Sequence, residues 1–286
     1  MIGKIVFEYY LLAGNSLRLF ISLILEITLN RGTMTNIYSA LITGASQGIG
    51  LEFVNQFLSN PSVNVQIIIA TCRNPENATA LQEVKKTSPK VHILKLDVTQ
   101  FDTYDKVVSE VENIVGEKGL TLLINNAGYM PGIEALDGVT PDALITTITI
   151  NSVAPVILTK AFRPLLKRSA QVNATKGDEL SMQRAAVFNI SSFLGSIALN
   201  DKAMRWCYRE SKAALNMSTQ SLAIELEKDG ILVESFHPGH VRTKMGGAHG
   251  AIDATTSVNG LIATFLKLKE KNKKGFYTWE GNVMPF

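Results

Sequence analysis

The chain has 286 residues, 46% of them hydrophobic, and a net charge of +3 from nearly balanced acids and bases. That is enough apolar material for one large core. The balanced charge, with no basic stripe, argues against nucleic acid as a partner.

Residues 1–33 stand apart. They are mostly apolar, but Glu8, Arg18 and Glu26 interrupt them. The charge-free stretches fall well below the ~18 residues of a membrane span, and no convincing cleavage site marks a secretory signal. Asn15, Arg18, Ser22 and Glu26 recur at helical steps, which predicts one polar stripe opposite a wide apolar face. Two readings stand: a helix lying on a membrane surface or on a protein, or a segment upstream of a working start at Met34. The expected division is therefore 1–33 as an extension and 34–286 as the functional domain.

From Met34 onward strands and helices alternate. Ile37–Thr43 reads as a buried strand, followed by a glycine loop and a helix over Ile49–Leu58. Val65–Thr71 is a second strand, with a helix near Asn77–Lys86. Val91–Val98 is a third, with a helix over Tyr104–Val115. Leu120–Gly128 is a fourth, ending in a loop, and a long helix covers Asp142–Lys167. Ser169–Gln183 is polar and reads as a surface insertion. Ala185–Ser192 is a fifth strand, Met204–Glu227 a helix, Ile231–Gly239 a sixth strand, Val258–Lys269 a helix, and Gly275–Trp279 a possible seventh strand. The basic run Lys267–Lys274 reads as a solvated helix end. Long apolar strands predict a sheet covered on both faces, and the alternation predicts an α/β fold with right-handed crossovers. Cys72 and Cys207 are far apart and have neither metal-ligand nor disulfide-framework spacing, which suits a reducing, cytoplasmic compartment. Sequons occur at Asn77, Asn173, Asn189 and Asn216, but the last two fall in a predicted buried strand and a helix.

In such a sheet, ligands bind at the carboxyl ends of the strands. The first strand ends in "TGASQGIG": Gly44 follows the strand, and Gly48 and Gly50 open the helix. Glycines permit a tight turn and a close phosphate, and the helix start offers free N–H groups and a positive dipole end. The second strand ends in "ATCRN", with Arg73 where a carboxylate would accept from the 2′-hydroxyl of NAD. A guanidinium there suits a 2′-phosphate and favours NADP(H) over NAD(H). Asp97 ends the third strand, as an acceptor for an adenine amino group or a helix cap. "NNAG" (Asn125, Asn126, Ala127, Gly128) ends the fourth, where the asparagines can tie strands together and the small residues admit a ribose.

"YRESK" puts Tyr208 and Lys212 on one face of a helix. A free phenol has a pKa of about 10, and a neighbouring ammonium is expected to lower it. Tyr208 would then be the general acid for carbonyl reduction. Ser191 and Ser192 end the fifth strand, where a hydroxyl can bond a substrate oxygen. Asn151, on the long helix, is a candidate to hold a water linked to Lys212. Metal ligation is not expected.

"TGASQGIG", "NNAG", "NISS", "YRESK" and "HPGHVRT", in this order, resemble the short-chain dehydrogenase/reductase family, over Ile37 to about Phe286. "YRESKAALNM", "HPGHVRTKMGG" and the tail "GNVMPF" are similar to the sniffer-type carbonyl reductases and the C-factor proteins. The resemblance implies a single Rossmann-type doubly wound parallel sheet of about seven strands, order 3-2-1-4-5-6-7, with helices on both faces. It implies Ser192, Tyr208, Lys212 and Asn151 as the catalytic set. It implies Gly44, Ser46, Gly48, Ile49, Gly50, Arg73, Asp97, Asn125, Ala127, Gly128, Pro238, Gly239, Val241 and Thr243, with Tyr208 and Lys212, as cofactor neighbours. Two departures stand out: Gln47 occupies a position often basic in NADP-dependent members, and Lys244 one where an acid is often found.

The implied activity is NADPH-dependent reduction of an aldehyde, ketone or quinone. The substrate rim is expected between Phe193–Cys207 and His240–Thr256, with Phe193, Leu194, Met204, Trp206 and Met245 making it apolar. The alternatives are an NAD-dependent alcohol or steroid dehydrogenase, and a cofactor-binding signalling protein of the same fold. A homo-oligomer would pair through the helices Asp142–Lys167 and Met204–Glu227. Localisation is expected to be cytoplasmic, with membrane contact through residues 1–33.

Overall fold

The computed structural model describes residues 34–132, 135–174, 179–268 and 275–286. The chain divides into Met1–Thr35 and Asn36–Phe286. The readings of residues 1–33, and of most of the basic run ending at Lys274, lie outside the described residues.

Seven parallel strands form one sheet in the order β3-β2-β1-β4-β5-β6-β7. They are β1 (Thr35–Thr43), β2 (Val63–Cys72), β3 (Val91–Lys95), β4 (Leu122–Asn125), β5 (Ala186–Ile190), β6 (Leu232–His237) and β7 (Phe276–Thr278). Between them lie helices α1 (Gly48–Ser59), α2 (Thr79–Thr87), α3 (Tyr104–Val115), α4 (Pro141–Ile148), α5 (Ala154–Val172), α6 (Trp206–Leu226) and α7 (Ala254–Lys267). The sheet order reverses between β1 and β4, so a crevice opens beyond their carboxyl ends.

Consecutive strand residues belong to different cores, because side chains alternate across the sheet. Ile42, Ile68, Ile124 and Phe188 join a core with Phe53 and Phe57 of α1 and Phe265 of α7. Their neighbours Leu41, Ile69, Leu123 and Val187 join a second core with Val111 of α3 and Leu158 and Phe162 of α5. That double burial explains the unbroken apolar runs. Phe188, Phe236 and Phe265 meet as an aromatic cluster, with ring centres 4.3–5.1 Å apart.

Two regions differ from the sequence reading. The long helix is interrupted by a π turn at Thr149–Val153. Pro155 has no N–H to give the carbonyl of Asn151 in α register, which favours the wider turn. The stretch from Ser169 is not wholly a surface loop: α5 runs on to Val172, and Ser169, Leu180 and Met182 are buried. The Ser169 hydroxyl lies 2.9 Å from that of Thr121, so its polarity is satisfied inside.

Candidate active site

The strand ends open into one cavity of about 600 Å³. Its floor begins at β1. Gly44 and Gly48 have φ of +67° and +56°, a region that side chains other than glycine's disfavour. A Cβ on Gly44 would sit 3.0 Å from the Ala127 Cα, and one on Gly48 3.3 Å from Thr243. Helix α1 starts at Gly48 with no side-chain cap and no acid in its first turn. Its leading N–H groups therefore keep their donors and a positive dipole end for a ligand. Ser46, Gly48 and Ile49 line the cavity, as does Gln47. Gly50 does not: it is buried against the Gly44 carbonyl and the Asn126 amide, so it packs the loop rather than facing a cofactor.

The next strand ends contribute Arg73, exposed, after β2, and Asp97 after β3. Asp97 Oδ1 accepts from the Thr99 backbone N–H at 3.0 Å and from its hydroxyl at 2.8 Å, which fixes the carboxylate at the cavity edge. After β4, Ala127 and Gly128 line the cavity and Asn125 does not. Asn125 is buried and donates to Asn189 Oδ1 at 2.8 Å, and Asn189 donates to the Thr219 hydroxyl at 2.9 Å. The chain ties β4 to β5 and β5 to α6 behind the cavity wall, which corrects the expectation that Asn125 touches cofactor. Asn126 bonds back to β1, its side chain donating to the Thr43 carbonyl at 2.9 Å. On the β6 side, Pro238, Gly239, Val241 and Thr243 are lining residues.

At the other end lie Tyr208 and Lys212, one turn apart on α6. The structure separates the two serines. Ser191 is buried and donates to Asn216 Oδ1 at 2.7 Å, whereas the Ser192 hydroxyl is hydrogen-bonded to the Tyr208 phenol. Lys212 is 4% exposed and donates to the Ile190 carbonyl at 2.8 Å. Its Nζ is 5.7 Å from the centre of the Tyr208 ring. Gly195 lets the segment after Ser192 pack on α6: a Cβ there would lie 2.7 Å from the Lys212 carbonyl carbon.

The protonation pattern differs from the expected one. Burial pushes the Tyr208 phenol up to about 12, opposed by the Ser192 hydrogen bond and the nearby Arg205 charge. Burial pushes Lys212 down to about 7. Desolvation thus outweighs the expected pull of the ammonium on the phenol. Tyr208 keeps some exposure to the open cleft. His237, at the end of β6, is pushed down to about 4 by burial and then by His240.

Asn151 is buried in the π turn and does not line the cavity. Its amide donates to the Tyr129 carbonyl at 2.7 Å and the Ser211 hydroxyl at 2.9 Å, and its Oδ1 accepts from the Tyr129 N–H at 2.7 Å. The side chain is therefore committed within the protein, to Tyr129 and Ser211, rather than aimed into the cavity.

Of the expected substrate rim, Phe193, Leu194 and Met245 line the cavity; Met204 and Trp206 do not. The sequence reading missed Tyr129 and Met130, which do; Arg205, within the expected span Phe193–Cys207 though not singled out, lines it as well. Tyr129 and Met130 follow "NNAG" directly, so their position was a usable signal.

The family model for short chain dehydrogenase matches residues 38–252. The carbonyl reductase Sniffer of D. melanogaster is 39% identical with a TM-score of 0.84, covering 87% of this chain and 100% of that one. The NADPH-bound carbonyl reductase from chicken fatty liver is 36% identical with a TM-score of 0.82, covering 88% and 100%. C-signal of Myxococcus xanthus is 33% identical over 165 residues, covering 58% of this chain and 92% of that one.

Proposed function

The chain belongs to the short chain dehydrogenase family of oxidoreductases, and we propose that within it the protein is an NADPH-dependent carbonyl reductase acting on an aldehyde, ketone or quinone. The observation that carries the reading is the meeting of Tyr208, Ser192 and Lys212 at one end of a cleft whose other end presents Arg73. The likeness to two carbonyl reductases, one described with NADPH bound, supports it.

The residues present fit a phosphorylated dinucleotide. The uncapped start of α1 suits a pyrophosphate. Cys72, Arg73 and Asn74 place no carboxylate at the end of β2 to repel a 2′-phosphate. Bound NADPH would supply a hydride to the carbonyl carbon. Tyr208, kept protonated by its buried setting, gives its proton to the carbonyl oxygen as the C=O π bond breaks. Ser192 donates a hydrogen bond to that oxygen as charge develops. Lys212 holds a positive charge beneath the phenol when protonated and passes a proton toward it. Asn151 positions the Tyr129 loop and the Ser211 turn of α6. Met34–Phe286 is the catalytic unit in this reading, consistent with a family match that begins at residue 38.

A second reading has one observation in its favour. Gln47 puts no cation beside Arg73 at the glycine loop, which suits an NAD-dependent alcohol or steroid dehydrogenase. The likeness to C-signal keeps a signalling role in view. Oxidation of NADPH and NADH by the full chain, against a panel of aldehydes, ketones and quinones, separates the readings. NADPH-dependent turnover that disappears in Tyr208→Phe is the expected result. NADH preference overturns the role of Arg73, and cofactor binding without turnover shifts weight to signalling.

A further inference from the structure

We propose that Phe286 is a positioning residue for the substrate end of the cleft. It holds the exposed span 197–204, and through it the wall between Ser192 and Tyr208, in the shape that receives a large apolar carbonyl. The proposal rests on the carbonyl-reductase reading and gives that site a residue distant from it in sequence.

The stretch joining Ser192 to Tyr208 lines the cleft at both ends and not in its middle. Phe193 and Leu194 line it just after Ser192, and Arg205 just before Tyr208. The first end is firmly held. Phe193 packs edge-on against His237 of β6, ring centres 5.2 Å apart. Gly195 is pressed on α6, and its carbonyl accepts from the Asn216 amide at 3.2 Å. Residues 197–204, by contrast, are eight consecutive exposed residues. Their internal bonds are short turns, such as the Asn200 N–H to the Ile197 carbonyl at 3.2 Å and the Met204 N–H to the Lys202 carbonyl at 2.9 Å. A span that buries so little does not offset the entropy of its own ordering, and it opens readily unless it is tied elsewhere.

Beyond a bond from the Leu199 N–H to the neighbouring Ser196 hydroxyl, two hydrogen bonds tie this span outward among the described residues. One is at its end, where Arg209 Nε donates to the Met204 carbonyl at 2.9 Å. The other is in its middle, where the Ala198 N–H donates to the Phe286 backbone oxygen at 3.0 Å. Phe286 is itself anchored. Its ring stacks on that of Phe276, centres 5.9 Å and planes 26° apart, and Phe276 is fully buried in β7. Two residues earlier, the Met284 N–H donates to the Phe276 carbonyl at 2.7 Å. β7 pairs with β6, which ends at His237, the residue on which Phe193 packs. Two adjacent strands therefore clamp the wall at two points, Phe193 and Ala198. Phe286 does not line the cleft, so its effect on substrate passes through Ala198.

The test is Phe286→Ala in the full chain, with Phe286→Tyr as the conservative partner, because a phenol keeps the ring stack. Amide hydrogen exchange read by NMR follows the anchor without any turnover. The Ala198 N–H should exchange about three- to ten-fold faster in Phe286→Ala, from the loss of one hydrogen bond of ordinary net strength. The Gly195 N–H, bonded to the Ser192 carbonyl at 2.8 Å, should exchange as before. Kinetics with NADPH then compare 2-naphthaldehyde, large enough to lean on the wall, with propanal, which depends on it least. The kcat/KM ratio of the large to the small aldehyde should fall by a similar factor, through KM, with NADPH Kd unchanged and the ratio restored in Phe286→Tyr. Unchanged exchange at Ala198 overturns the anchor. Faster exchange with an unaltered aldehyde ratio overturns the positioning role and leaves the reductase reading standing. Equal losses for both aldehydes, with weaker NADPH binding and a lower Tm, mean a general loosening and overturn it as well. Failure of the unaltered chain to reduce either aldehyde overturns the reductase reading, and the proposal with it.

Discussion

Lys212 Nζ lies 5.7 Å from the centre of the Tyr208 ring, and burial drives the two groups apart in proton affinity. The phenol rises to about 12 while the amine falls to about 7. Both are thus held toward their neutral forms, a setting in which the phenol keeps the proton that reduction needs. Tyr208→Phe should lower kcat by about 10²–10⁴-fold while NADPH still quenches or shifts protein fluorescence with unchanged affinity. Retained turnover would remove Tyr208 from the mechanism.

The two serines should part company on substitution. Ser192 touches the phenol, so Ser192→Ala should cost about 10²–10³ in kcat with little change in Tm. Ser191 is bound to Asn216, so Ser191→Ala should instead lower stability by about 1–3 kcal/mol and leave most of the turnover. Rate measurements paired with thermal melts on both variants decide the matter; equal kinetic losses would contradict the geometry.

Arg73 is the basic group at the end of β2. Arg73→Ala should raise the NADPH Kd by about ten-fold or more and barely affect NADH. Parallel titrations of the two cofactors give the ratio, and an equal loss for both would show that Arg73 does not read the 2′-phosphate.

Lys212 also carries a pH signature. Its folded pKa, about 7, lies below its ordinary value of 10.5. Between those values the unfolded chain binds more protons than the native one, so this group makes stability rise with pH across that window. Below about 7 the full cost of burying the charge is present. Lys212→Met removes the titration, so its Tm relative to the wild type should be most favourable near pH 6 and the difference should decline toward pH 10. Melts at several pH values check this, and a difference independent of pH would place the Lys212 charge elsewhere.

The strands and the cleft at their ends were legible because both follow from local signals, whereas the sheet order came only from the family resemblance. Apolar runs such as Val65–Ala70 mark strands buried on two faces, and Gly44 and Gly48 mark a turn that side chains resist. Within the motifs, finer placement was not legible. Asn125 and Asn126 are neighbours in "NNAG", yet one faces inward to Asn189 and the other lines the cleft; a half-turn of backbone decides which. Ser191 and Ser192 alternate for the same reason, and only the resemblance singled out Ser192. The π turn at Thr149–Val153 adds a residue to one turn, a register change that apolar periodicity is too coarse to register. The protonation balance was misread because spacing reveals the charge partner of Tyr208 and not the desolvation around both groups.

Gly195 has a bearing on how such an enzyme could be re-engineered. No Cβ fits between it and the backbone of Lys212, so the segment bearing Ser192 and the helix bearing Tyr208 are joined without slack. The stretch from His240 to Asp253 hangs on the cleft's other side and folds largely upon itself, through Arg242, Thr243 and Gly250. Grafting a foreign version of that stretch should exchange substrate taste as a cassette, while the acid and its serine keep their registration.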